Sequence, residues 1–160
     1  MEAAVIERVS NPERRPVQPG EREEQEPQDG HGYFAKRVAY RSARTKMKIK
    51  DIAAALEQWA PRSLQEDYDN SGLQVGDPER EVTSALVCLD CTESVVEEAR
   101  KHCCGLVISH HPVIFKGLKS LTGRDYVERT VLLAIKHGIA IYSIHTNLDN
   151  VAHGVNGEIA

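Results

Sequence analysis

Two adjacent imidazoles, His110 and His111, close the run Leu106-Val107-Ile108-Ser109-His110-His111-Pro112. A second polar group, His145-Thr146-Asn147-Leu148-Asp149-Asn150, follows another short apolar run, Ile139-Ala140-Ile141-Tyr142-Ser143-Ile144. Neutral imidazole nitrogen and carboxylate oxygen together suit borderline divalent cations such as zinc, iron, manganese and nickel. The residue types therefore point to a metal site shared by two strand ends, with His110, His111, His145 and Asp149 as candidate ligands. Neighbours along a strand point to opposite faces, so fully extended geometry would keep His110 and His111 from sharing one ion. A strand-to-loop break before Pro112 relaxes that constraint. The two rings then serve two metals, or one ligates while the other orients.

The elements that position these groups are legible in the hydrophobic pattern. Ile52, Ala55, Leu56 and Trp59 recur at helical spacing, and Pro61 ends that helix. Asp67-Tyr68-Asp69-Asn70-Ser71-Gly72 is turn chemistry, and Leu73-Gln74-Val75 predicts a brief strand. The apolar run Thr83–Leu89 is of strand length. Asp90 with Glu93 three residues on resembles a capping box opening a helix, whose buried face is Val95, Val96, Ala99 and Cys103. Gly105 breaks that helix, and Leu106–Ile108 is the next strand. Tyr126, Val127, Val131, Ala134 and Ile135 mark a further helix, with Gly138 in the position favoured just past a helix end. Ile139–Ile144 is the third strand. Strand–helix–strand–helix–strand is the order of a parallel sheet with right-handed crossovers. In such sheets ligands bind beyond the carboxyl ends of the strands, and here those ends carry Asp90, His110-His111, and His145 with Asp149.

Bulk properties narrow the function classes. With 160 residues, 41% hydrophobic and 28% charged, and a net charge of −4, the composition is that of a soluble protein without a general attraction to nucleic acid or acidic membranes. No apolar run approaches the roughly 18 residues of a membrane span, and the N-terminus lacks a basic start and apolar core, so a cytoplasmic location is expected. Residues 1–46 hold four of the seven prolines and the run Glu21-Arg22-Glu23-Glu24-Gln25-Glu26. They read as a disordered extension, with the basic stretch Lys36 to Lys46 as a solvated linker and the folded domain beginning at Met47. Cys88-Leu89-Asp90-Cys91 has redox or zinc spacing, but its place in an apolar strand pattern favours buried structural cysteine, as for Cys103 and Cys104. His102 and His137 suit helix C-termini, where a cation complements the dipole.

Three segments resemble the N-terminal motifs of the Nif3-like family: Asp69-Asn70-Ser71-Gly72-Leu73-Gln74-Val75-Gly76, Ile108-Ser109-His110-His111-Pro112-Val113-Ile114-Phe115 and Tyr142-Ser143-Ile144-His145-Thr146-Asn147-Leu148-Asp149. They occur in the family's order, from about Met47 to the last residue. The resemblance implies an α/β fold with a parallel or mixed sheet flanked by helices, and a toroidal homohexamer with two divalent metal ions per subunit facing its cavity. It maps the family's paired histidines to His110 and His111 and its first carboxylate ligand to Asp149, with His145 as an accessory ligand or a substrate-handling group. Bacterial members are labelled dinuclear metal centre proteins or GTP cyclohydrolase 1 type 2 homologues. The resemblance thus implies a metal-dependent hydrolase acting on a small-molecule or nucleotide substrate; the alternative is a non-catalytic metal-binding or regulatory interaction protein. Family members close the site with a C-terminal histidine and glutamate in an H-x-x-x-E arrangement, which this sequence, ending at Ala160, does not reach. Residues 47–160 therefore resemble the N-terminal part of a Nif3-like domain whose remaining ligands and second half of the sheet lie outside it, and Glu158 is no substitute.

Overall fold

The computed structural model describes residues 38–41 and 46–159. Five strands form the main sheet: β1 (Val38–Arg41), β3 (Gly72–Val75), β5 (Ser84–Asp90), β6 (Leu106–His111) and β7 (Ala140–Ser143). Their spatial order is β1-β5-β6-β7-β3. The central three are parallel, joined by crossovers through helix α2 (Glu93–Lys101) and helix α3 (Tyr126–His137), as the pattern predicts. Both edge strands run antiparallel, so the sheet is mixed. A two-stranded ribbon of β2 (Met47–Lys48) and β4 (Glu81–Val82) flanks helix α1 (Ile49–Trp59). The chain closes with two short helices, α4 (Thr146–Asp149) and α5 (Val155–Ile159).

Strand alternation sorts the core into two layers. Leu86, Cys88, Val107 and Ile141 face one side and pack with Val95, Val96 and Ala99 of α2 and Val131 and Ala134 of α3. Leu106, Ala140 and Tyr142 face the other and pack with Ile49 and Ala60, at the two ends of α1. Two apolar faces on the central strands explain why these segments read as continuous hydrophobic runs.

Several local expectations are corrected. The inward stripe of α1 is buried Ile49 with partly buried Ile52, Ala53 and Leu56, whereas Ala55 and Trp59 are exposed. On α3, Val131 and Ala134 are buried, but Tyr126 and Ile135 face solvent. The capping box does not form: Asp90 remains in β5, Thr92 is the N-cap of α2 without a side-chain bond to the helix backbone, and Glu93 instead accepts from Arg129 Nε at 3.0 Å. Cys103 is exposed, whereas Cys88, Cys91 and Cys104 are buried as expected. Gly138 does end α3 in the left-handed conformation, at φ 62°. Strand β1 lies within the stretch that composition assigns to the extension; apart from it and Lys46, that stretch lies outside the described residues.

Loop 112–125, between β6 and α3, folds back onto one buried carboxylate. Glu128 accepts from the backbone N–H groups of Thr122 (2.8 Å) and Arg124 (3.1 Å), from the Thr122 hydroxyl and from the Arg124 guanidinium. The Arg124 guanidinium and these N–H groups hold the Glu128 carboxyl well below the usual carboxylate range, despite its burial. This anchor fixes the far end of the loop that follows His111.

Candidate metal centre

The register of the parallel strands sets the first contact. Asp90 on β5 lies directly opposite His111 on β6, so the two side chains share a face, and Asp90 Oδ1 sits 2.7 Å from His111 Nδ1. On the other side of β6, the chain leaving β7 keeps to the ladder for one more residue, with Ile144 N–H donating to Ser109 O at 3.0 Å. The Ile144 carbonyl is thereby placed 3.0 Å from His110 Nδ1. Strand β6 runs three residues beyond the expected Leu106–Ile108, so His110 and His111 are its last two residues. Their rings nevertheless meet over the end of the sheet, with centroids 4.9 Å apart. The alternation that would separate them fails at this last step of the strand.

The third imidazole comes from the turn after β7. His145 sits 5.2 Å from the His110 ring and 5.4 Å from the His111 ring, centroid to centroid, nearly perpendicular to both. Its Nδ1 lies 2.9 Å from Asp69 Oδ1. Asp69 arrives from the start of β3; because β3 runs antiparallel to β7, with Gly72 opposite Ser143, the residues before β3 reach the same sheet edge. The Asp69 side chain is 0% exposed. Burial alone would raise its pKa, but bonds from the Thr146 hydroxyl, the His145 ring and the backbone N–H groups of Asn70 and Thr146 hold it well below the usual range. Buried Asn147 completes the turn: its side-chain oxygen accepts from His145 N–H at 3.0 Å and its amide donates to Ala60 O at 2.8 Å.

All three rings thus have Nδ1 against an oxygen acceptor: the Ile144 carbonyl, the Asp90 carboxylate and the Asp69 carboxylate. A neutral imidazole in that position carries its proton on Nδ1, which leaves the lone pair on Nε2. One ligand atom from each of His110, His111 and His145 lies within 4.8 Å of the other two. Burial, with the neighbouring imidazoles, pushes the His110 pKa below the ordinary histidine range against the pull of Asp149, keeping the ring in its ligating form. Asp149 Oδ1 stands 3.7 Å from His110 Nε2, too far for a hydrogen bond and close to the separation of two ligands about 2 Å from one cation. The donor set, three imidazole nitrogens and one carboxylate, fits a borderline divalent metal.

All four candidate residues therefore gather at one sheet edge, with Asp149 less tightly placed than the three rings. Sequence reasoning placed Asp90 at this edge but gave it a capping role, and it left Asp69 as turn chemistry. The signal for Asp69 was the Asp69-Asn70-Ser71-Gly72 turn itself, a polar cluster ahead of a strand. His102 and His137 lie at helix ends, as expected, away from this cluster. His153 is exposed in the turn before α5. No helix among the described residues is long and apolar enough to cross a membrane.

Comparison with known proteins bears on this geometry. Residues 47–160 match the family model described as Duf34/NIF3 (NGG1p interacting factor 3). A curated relative from Clostridium acetobutylicum, named GTP cyclohydrolase 1 type 2 homolog, is 41% identical over 113 residues, which span 71% of this chain and 42% of the relative. The crystal structure of Staphylococcus aureus protein SA1388 superposes with a TM-score of 0.68 at 44% identity, covering 71% of this chain and 37% of that one. A Bacillus cereus protein related to NIF3 gives a TM-score of 0.67 at 35% identity, covering 71% and 32%. The chain thus spans well under half the length of these relatives.

Proposed function

The chain belongs to the Duf34/NIF3 family, and from that premise we propose that His110, His111, His145 and Asp149 hold divalent metal in a metal-dependent hydrolase of the GTP cyclohydrolase 1 type 2 kind. The observation that carries the reading is the shared anchoring of the three rings. Each Nδ1 lies against an oxygen acceptor, which leaves the lone pair of a neutral ring on Nε2, and one ligand atom from each ring lies within 4.8 Å of the other two. Carboxylate or carbonyl partners of this sort fix ring orientation and tautomer in metal sites and raise ligand basicity. Bound divalent metal, two ions per subunit in this reading, supplies Lewis acidity and lowers the pKa of water toward neutrality. The protein's own part is to hold the rings, through Asp90, Asp69 and the Ile144 carbonyl, and to keep His110 neutral. A toroidal homohexamer and a nucleotide substrate belong to the same proposal.

The experiment is metal analysis by plasma mass spectrometry on the full chain and its His110→Ala/His111→Ala double variant, followed by a GTP turnover assay. Retention of one or two transition metals per chain by the wild type only, with ring opening of GTP, supports the proposal. Metal without turnover of GTP or phosphoesters supports the second reading, a non-catalytic metal-binding or regulatory interaction protein. The family description, an interacting factor, favours that alternative. Absence of metal after supply of zinc, manganese or iron refutes both.

A further inference from the structure

Beside the imidazole cluster stand two aromatic rings that the core does not use. Phe115 is 45% exposed and Tyr68 is 65% exposed. Their centroids are 6.3 Å apart at an interplanar angle of 52°, and the Phe115 ring lies 6.4 Å from that of His145. Single exposed apolar residues are ordinary on any surface. These two adjoin one another and a polar cluster, and the backbone that presents them is tied down. Gln74 Oε1 accepts from Ile114 N–H at 2.8 Å, Gln74 Nε2 donates to Asn70 O at 2.7 Å, and Asn70 Nδ2 donates to Ile114 O at 2.6 Å. Val113 is buried two residues before Phe115. The loops carrying Tyr68 and Phe115 are thus locked together while both rings remain outside the core.

We propose that Phe115 and Tyr68 form the wall on which a planar heteroaromatic ring of a small ligand stacks, with a donor atom of that ligand turned toward the imidazole cluster. This deepens the metal reading above and rests on it. Stacked or tilted rings sit with centroids about 4.5–7 Å apart, the spacing that Phe115 already has to its neighbours. A ligand ring on Phe115 is therefore close enough to His145 for a donor one or two bonds from the ring to reach the cluster. A purely anionic ligand would leave this wall without a partner, and a flat ring covers it with the least loss of conformational freedom. The aromatic pair thus selects a flat ring, and a purine is the form tested.

The test uses the zinc-loaded full chain and calorimetric titration with GTP and, as the ring-free control, tripolyphosphate. Proteins compared are wild type, Phe115→Ala, Phe115→Tyr and Tyr68→Ala, with metal content measured for each. The expected result is GTP affinity weakened roughly 10-fold or more by Phe115→Ala and less by Tyr68→Ala, in line with the usual effect of removing a base-stacking ring. Phe115→Tyr restores it, tripolyphosphate affinity is the same in all four, and metal content does not change. Equal losses for the two ligands, no loss for GTP, or wild-type GTP binding no tighter than tripolyphosphate overturns the proposal. A wild type that holds no metal yet shows Phe115-dependent GTP affinity overturns the metal reading alone and leaves the wall supported.

Discussion

Replacing Asp69 with asparagine separates the shape of its side chain from its charge. The carboxylate serves two sets of donors. Oδ1 lies 2.6 Å from Asn70 N and 2.9 Å from His145 Nδ1, while Oδ2 accepts from Thr146 N–H at 3.0 Å and from the Thr146 hydroxyl. Asparagine has one oxygen. Turned toward Thr146, it retains that pair and points its amide at His145, and the Asn70 N–H loses its acceptor. One forfeited hydrogen bond to a charged acceptor costs about 2 kcal/mol. The larger consequence falls on His145. Facing an amide donor, its Nδ1 must accept, so the ring proton moves to Nε2 and the lone pair that would meet the metal is gone. Loss of such an orienting partner typically weakens metal affinity by about 10–100-fold. Urea unfolding of the metal-free protein measures the first effect, and zinc competition against a chromogenic chelator measures the second. In a His145→Ala background, Asp69→Asn should change zinc affinity no further, since the ring through which it acts is absent. Stability lost with zinc affinity within twofold of wild type would refute the tautomer argument. An undiminished effect in the His145→Ala background would refute it too.

Three further outcomes follow from the same geometry. Asp90 is 52% exposed, so Asp90→Asn should change stability by no more than about 0.5 kcal/mol yet weaken zinc binding about 10-fold through His111; a change in unfolding midpoint without one in zinc affinity would contradict this. Glu128 has its folded pKa depressed, so its stabilising contribution is complete above the unfolded value of about 4.3 and is lost as pH falls through the folded value. Urea midpoints taken at decreasing pH should therefore drop less steeply below about pH 4.3 in Glu128→Gln than in wild type, and parallel curves would sink that account. Burial pushes the Cys91 thiol up to about 12 and raises that of Cys104, whereas Cys103 is exposed. Iodoacetamide on the native protein should label Cys103 well before Cys91 or Cys104, as read by peptide mass spectrometry, and early labelling of Cys91 would show that its burial is not maintained in solution.

How much of this was legible in the sequence depends on the range of the interaction. The parallel β5–β6–β7 unit and its helices follow from periodicity, because a strand buried on both faces and a helix buried on one leave different hydrophobic spacings in the chain. The Gly138 stop is equally local, since a left-handed residue past a helix end is chiefly a property of that residue. His110, His111, His145 and Asp149 could be named because strand ends of a parallel sheet converge whatever the details of packing. The tertiary structure decided what those rings can do. Register placed Asp90 opposite His111 and overrode its capping signal. The antiparallel edge strand β3 carried Asp69 to His145, 76 positions away in the chain. Loop-to-loop bonds through Gln74 set Tyr68 beside Phe115. Each of these depends on how distant segments align, and residue type and local spacing do not encode that alignment. The sequence by itself determined which side chains gather at this edge; the pairing of strands and loops decided which nitrogen of each ring meets an oxygen partner.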